Sequence, residues 1–206
     1  MSEQHDESHR ALLDAARSGD RAAFGQLVRY HKSSLYRFVR RYVGNPEDAY
    51  DLLQETFVSA WLALARFEPE RSLATWLHTI ALNKCRDHGR RRAVRRRLSL
   101  LFFTSERALS QAQPDDWTES GDRQLSLRRH RLDAAIAALP GKYKEPLLLT
   151  LVSGMTHRQA ARQLGLTTKA VQMRIQRAKQ KLSEALAEPE IISAPPEPPE
   201  TPAPAG

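Results

Sequence analysis

Cysteine is almost absent from this chain: Cys85 stands alone among 206 residues, so no internal disulfide can form and no cysteine pair offers metal-ligand spacing. Long apolar runs are missing too. No window approaches the roughly 18 uninterrupted apolar residues of a membrane span, and the polar start MSEQHDESHR lacks the charged-then-apolar pattern of a secretory leader. The expectation is a protein of the reducing cytoplasm, with no direct membrane insertion. Alternating β-branched runs are scarce, which argues against a sheet. Catalytic signatures are also lacking. There is no phosphate loop, no metal-spaced His or Cys set and no nucleophile beside a base, and the 7 histidines are scattered. An enzyme, a small-molecule substrate, a metal and a cofactor are therefore not expected.

Basic charge is what the chain does have, and its distribution matters more than its total of +8. Residues 1–83 carry a net −1, residues 84–97 carry +7, residues 98–122 carry −4, residues 123–182 carry +11, and the remainder carries −5. Two basic blocks are thus separated by an acidic spacer. Clustered Lys and Arg gain affinity for nucleic acid by releasing its condensed counterions, so this outline fits a protein touching a polyanion at two places. A solvated charged surface is the competing explanation for charge alone.

Helical periodicity dominates both blocks. The first is broken at Gly44-Asn45-Pro46 and at Phe67-Glu68-Pro69, where Gly and Pro interrupt helical geometry. Leu98 to Asp122 is weakly periodic and reads as a linker, acidic through Asp115, Asp116, Glu119 and Asp122. Seven of the 12 prolines fall within residues 189–206, which are expected to be extended and disordered.

Asp48 to Trp61 follows Pro46, a residue suited to a first helical turn. At 100° per residue, Tyr50, Leu53, Phe57, Ala60, Trp61 and Leu64 share one face, while Asp48, Asp51, Gln54 and Glu55 lie around the other. The carboxylates also suit the positive end of the helix dipole. The next helix opens at Ser72, with a buried stripe of Leu73, Trp76, Leu77, Ile80 and Ala81. Thr79, Asn83, Arg86 and Arg90 align on a different, wholly polar face. Such a face can meet phosphates through charge and base edges through its amide, or it can simply be solvated. Six arginines between Arg90 and Arg97 continue it, a composition for backbone binding without sequence preference.

The strongest local pattern spans Met155 to Val171. Thr156 can cap a short helix, Gly165 can end it, and Thr167 or Thr168 can cap the next, which together make a helix-turn-helix. Ala160 and Ala161 allow close crossing, and Leu164, Leu166, Val171 and Ile175 seal the joint. In the second helix Thr168, Lys169, Gln172, Met173, Gln176 and Arg177 form the surface to place in a major groove. There Gln can pair with adenine, Met can touch a thymine methyl, and Lys and Arg can hold phosphate or guanine.

With these residues in hand, the chain resembles the extracytoplasmic-function subfamily of sigma-70 RNA polymerase sigma factors. The run DAYDLLQETFVSAW looks like the sigma domain two helix that docks on the coiled coil of the polymerase's largest subunit, which implies polymerase contacts at Asp48, Asp51, Gln54 and Glu55. FEPERSLATWLHTIALNKCRDHGRRR resembles the part that melts the minus-ten element and captures a flipped base, which implies minus-ten contacts at Phe67, Thr79, Asn83, Arg86 and Arg90. Phe67 is the one aromatic of that loop; it either stacks on the base or packs beneath the loop. Leu139-Pro140, the leucines at 147–149, the turn at 154–156 and QMRIQRAKQKL look like sigma domain four, which meets the flap of the second-largest subunit and reads the minus-thirty-five element. Two departures stand out. Pro146 lies inside the first helix expected for this domain, and Gln172-Met173 replaces the more usual Lys or Arg followed by Ser.

The resemblance implies an all-α protein of two small helical domains, 10–97 and 123–187, joined by a flexible acidic linker at 98–122 and followed by a disordered Pro-rich tail at 188–206. It implies an alternative sigma factor in the cytoplasm, nucleoid-associated, answering stress or an envelope signal. Its partners would be core RNA polymerase, promoter DNA and an anti-sigma factor. A stand-alone helix-turn-helix transcriptional regulator is the alternative, and it leaves the acidic and tryptophan helices of the first block without a purpose.

Overall fold

A computed structural model describes residues 2–68, 72–102 and 123–187, and among them every regular element is helical. Helix α1 spans Ser2–Arg17, α2 Arg21–Val43 and α3 Pro46–Ala63, followed by a single 3-10 turn at Leu64–Arg66 and by α4 at Leu73–Phe102. The second block holds α5 at Arg123–Ala138, α6 at Gly141–Leu151, α7 at His157–Leu164 and α8 at Thr168–Ala187.

Local chemistry explains most of the breaks. Asp20 caps α2 by accepting hydrogen bonds from the Ala22 and Ala23 amides at 2.7 and 3.1 Å. Gly44, at φ +81°, ends α2 in the left-handed region that residues with a Cβ avoid. Asn45 then caps α3 through the Asp48 amide at 2.9 Å, and Pro46 takes the first turn, where its missing N–H costs nothing.

The first bundle closes where α2, α3 and α4 face one another. Leu27, Leu35, Phe38 and Val39 of α2 meet Leu52, Leu53 and Ala60 of α3 and Leu77, Ala81, Leu82 and Cys85 of α4, all buried. On α3 the buried stripe runs through Ala49, Leu52, Leu53, Thr56 and Ala60, about one residue round from the expected face. Tyr50, Phe57 and Trp61 are half-buried at its edge, with the Trp61 ring 5.0 Å from Phe24. Thr56 tolerates full burial because its hydroxyl donates to the Leu52 carbonyl at 2.6 Å. On α4 the half-buried Trp76 and Ile80 likewise give way to His78, which is buried with its Nδ1 2.8 Å from the Ala74 carbonyl. Helix α1 docks on α2 through His9, whose Nε2 lies 3.2 Å from Nε2 of buried His31.

The second bundle packs Leu147, Leu148 and Leu149 of α6 against Ala160 and Ala161 of α7 and Val171, Ile175 and Ala178 of α8. Pro146 lies in the second helix of this block, not the first, and sits inside it, buried. Lacking an N–H, it cannot bond the carbonyl four residues back. Helix α4 continues through Leu98 to Phe102, where a linker was expected to begin. The acidic residues at 115–122 and the Pro-rich tail at 188–206 lie outside the described residues.

Candidate polymerase and promoter surfaces

Three of the four expected polymerase contacts come together on α3. Asp51, Gln54 and Glu55 line a shallow, open depression of 460 Å³, and Val58, Ser59 and Lys84 complete it. Glu55 pairs with Lys84 of α4 at 3.4 Å. Below it, Val58 and Leu62 are 60% and 78% exposed, a large apolar surface to leave in water. Positions 51, 55, 58 and 62 form one row at helical spacing, so the row was readable from the sequence once Val58 and Leu62 were set beside the carboxylates. Asp48 does not join the group. Its carboxylate turns towards α4, 3.4 Å from His88 Nε2 and 3.7 Å from Arg92 Nη1, and so helps hold α3 against α4.

The polar face of α4 is real but unevenly exposed. Asn83 is open to solvent. Arg90 is exposed too, paired with Asp87 one turn before it. The Thr79 hydroxyl shares its one proton between the Thr75 carbonyl at 2.9 Å and Gln163 Oε1 of α7 at 3.0 Å. Arg86 donates from Nε and Nη2 to the two oxygens of Glu145 on α6, at 2.8 and 2.6 Å. That bond stabilises the charged guanidinium and raises its pKa further. The same carboxylate accepts from the Tyr42 hydroxyl at 3.1 Å, and the phenol is pushed well above its usual range by burial first and by Glu145 second.

Phe67 requires a correction. It is 3% exposed, its ring 4.9 Å from the Trp76 ring, so it packs into the core and offers no open platform for a base in this structure. Aromatic packing against Trp76 gains more than leaving the ring in water. Residues 69–71 of that loop lie outside the described residues.

The helix-turn-helix forms as its cap residues direct. Thr156 and Gln159 make a reciprocal capping box at the start of α7, Gly165 closes the helix at φ +65°, and Thr167 rather than Thr168 caps α8 by accepting from the Ala170 amide at 3.1 Å. Val171, Ile175 and Ala178 are buried, and Leu182 is half-buried behind them. Thr168, Lys169, Gln172, Met173, Gln176 and Arg177 are all exposed on the opposite side, with Met173 at 45%. Arg177, with help from Lys142, lowers the pKa of the Tyr143 phenol on α6, so the two helices meet beside this face. Tyr143 was not legible as a neighbour of this face, since the contact joins two helices.

This arrangement can bind but holds no group of three or more His, Cys, Asp or Glu able to seat a metal among the described residues. Cys85 is fully buried, and burial pushes its thiol up to about 12, so it is an inert packing residue.

Known proteins match over both bundles. Residues 27–95 match the family model Sigma-70 region 2, and residues 129–182 match Sigma-70, region 4. The chain is 40% identical to the RNA polymerase sigma factor CnrH of Cupriavidus metallidurans over 88% of its own length and 95% of the relative's. It is 32% identical to the ECF RNA polymerase sigma factor SigE of Mycolicibacterium smegmatis, over 86% of this chain and 67% of that one. Among solved structures, CnrH in complex with the cytosolic domain of CnrY aligns with a TM-score of 0.61 at 36% identity, covering 87% of this chain and 97% of that chain. A stand-alone helix-turn-helix regulator would leave the match at 27–95 unexplained. The chain belongs to the extracytoplasmic-function sigma factors of the sigma-70 family, which work in the cytoplasm by binding core RNA polymerase and directing it to promoters, and which are not enzymes.

Proposed function

We propose a division of labour among three faces, with domain two at 10–97, the linker at 98–122, domain four at 123–187 and the tail at 188–206. The row Asp51, Gln54, Glu55, Val58 and Leu62 docks on the coiled coil of the polymerase's largest subunit. Thr79, Asn83, Arg86 and Arg90, continued by the arginines to 97, meet the minus-ten element. Thr168, Lys169, Gln172, Met173, Gln176 and Arg177 read the minus-thirty-five element, while the rest of domain four meets the flap of the second-largest subunit. The observation that carries this reading is the sorting of chemistry by face. Carboxylates and apolar side chains share the exposed row of α3, and amides and cations cover the exposed faces of α4 and α8. A polyanion selects the second kind of surface and repels the first.

Regulation follows from the same faces. CnrH is known in complex with the cytosolic domain of CnrY. A comparable anti-sigma partner for this chain, released by a stress or envelope signal, would act by covering the polymerase-docking surface, since free factor competes for core by mass action. Association with the nucleoid would follow from promoter binding.

The α3 row is tested by Asp51→Ala and Leu62→Ala, both at exposed positions. Each should weaken affinity for core polymerase about tenfold while leaving duplex DNA binding by the free chain unchanged. Core affinity equal to that of the parent chain in both variants would remove this row as the docking surface.

A further inference from the structure

Two histidines from different helices meet at the joint between α1 and α2, helices to which no docking or reading face is assigned. His9 of α1 and His31 of α2 bring their Nε2 atoms to 3.2 Å. They lie 22 positions apart, which is why the histidines look scattered along the sequence. Their rings stand at 82° to each other, and the Tyr30 ring packs against both, 5.2 Å from His9 and 4.9 Å from His31 between centres. His31 is buried, His9 is half-buried and Tyr30 is 62% exposed, so the pair lies at the edge of the core within reach of solvent.

A hydrogen bond accounts for this contact only if the two rings hold different tautomers, one donating from Nε2 and the other accepting there, and 3.2 Å is its long limit. A shared metal ion needs no such difference. Two zinc–nitrogen bonds of about 2.0–2.1 Å at a tetrahedral angle set their nitrogens about 3.3–3.4 Å apart, close to the separation between His9 and His31. Two imidazoles are one donor short of an open zinc site, which takes three protein ligands and a water. The sequence offers the third at His5, four positions before His9 within α1. That spacing puts two residues on one helix face, and helices use it to hold zinc. The neighbouring His78 is committed elsewhere, its Nδ1 2.8 Å from the Ala74 carbonyl and its Nε2 3.5 Å from the Ser34 hydroxyl.

We propose that His5, His9 and His31 form a binding site for one divalent ion of the zinc class, which pins α1 to α2. Imidazole donors without carboxylates select zinc and its transition-metal neighbours over magnesium and calcium, which take oxygen ligands. The ion acts beyond the two helices it joins. Helix α1 also lies beside the 3-10 turn at Leu64–Arg66, which leads into Phe67 and the loop before α4, so occupancy stiffens the base of that loop. The site stands whichever faces meet polymerase and promoter.

The test adds zinc to the full-length, chelator-treated chain, free of any affinity tag, in competition with a fluorescent zinc chelator. The parent chain should bind one ion per molecule. His5→Ala, His9→Ala and His31→Gln should each weaken binding about tenfold or more, whereas His157→Ala, at an exposed histidine of α7, should leave it unchanged. Thermal melts without metal establish that each variant is folded, and His9→Ala, at a half-buried position, carries the test if His31→Gln does not fold. X-ray absorption at the zinc edge should show three imidazole nitrogens at about 2.0–2.1 Å and one oxygen. Zinc should also slow amide exchange in α1 and at Leu64–Arg66 of the parent chain, and not in His9→Ala. Equal zinc affinity in the parent and His9→Ala overturns the site and leaves the pair as a hydrogen bond. Zinc binding that depends on His9 without slower exchange in α1 overturns the pinning.

Discussion

Gln172 and Gln176 are exposed on α8 beside Arg177, and the three side chains reach for different things. An amide can pair with N6 and N7 together on the major-groove edge of adenine, whereas a guanidinium can hold a backbone phosphate of any sequence. Gln172→Ala and Gln176→Ala should therefore each cost about 1–3 kcal/mol at particular base pairs of the minus-thirty-five element, and Arg177→Ala should weaken all sequences alike. Binding measured across a panel of single base changes checks this; uniform loss from the Gln variants would remove them as base readers. At this scale the sequence was most informative where one residue settles its own role. Thr156, Gln159, Gly165 and Thr167 act on backbone groups within three or four positions, and their pattern announces itself. Phe67 and Asp48 were less legible, because a buried ring and a carboxylate turned towards α4 depend on partners from another element.

Element packing shows the same limit and adds a pH dependence. The α3 stripe lies about one residue from its expected place because Thr56, polar in composition, is buried through a bond to its own helix. His78 is buried in the same way, through the Ala74 carbonyl of its own helix, and His31 is buried against His9 of α1; no periodicity of apolar residues would place either in a core. Burial, with His9 and His78 adding smaller charge effects, lowers His31 from 6.5 to about 4. The folded protein then binds fewer protons than the unfolded chain between those values. Stability contributed by neutral His31 is fully present above pH 6.5 and is lost as the pH falls towards about 4. Denaturant titrations over that window should show falling stability, with a shallower fall in His31→Gln. An unchanged slope would show that His31 is not responsible. Since His31 contacts His9, the loosening should begin where α1 meets α2.

The whole molecule was legible as a class and as two blocks, but not as an arrangement. Charge alternation, cap residues and the two motif runs give an all-α chain with two basic units, which the family matches at 27–95 and 129–182 cover. The bonds between the bundles join residues 59 to 103 positions apart, from Arg86–Glu145 to Tyr42–Glu145, and no local pattern reports them. Most of the polar groups they use, among them Glu145, Asp133 and Gln163, would look like ordinary helix surface in either bundle alone. The proposed docking and reading faces were readable in the sequence, whereas the bonds between the bundles were not. The most direct test of the central claim is run-off transcription from a promoter in the protein's own upstream region, with the purified chain and the core polymerase of its host added separately and together. Transcripts of defined length should appear only when both are present, and core alone or the chain alone should give none. Tight binding of the duplex by the chain alone, with no promoter-specific transcript on adding core, would contradict the account.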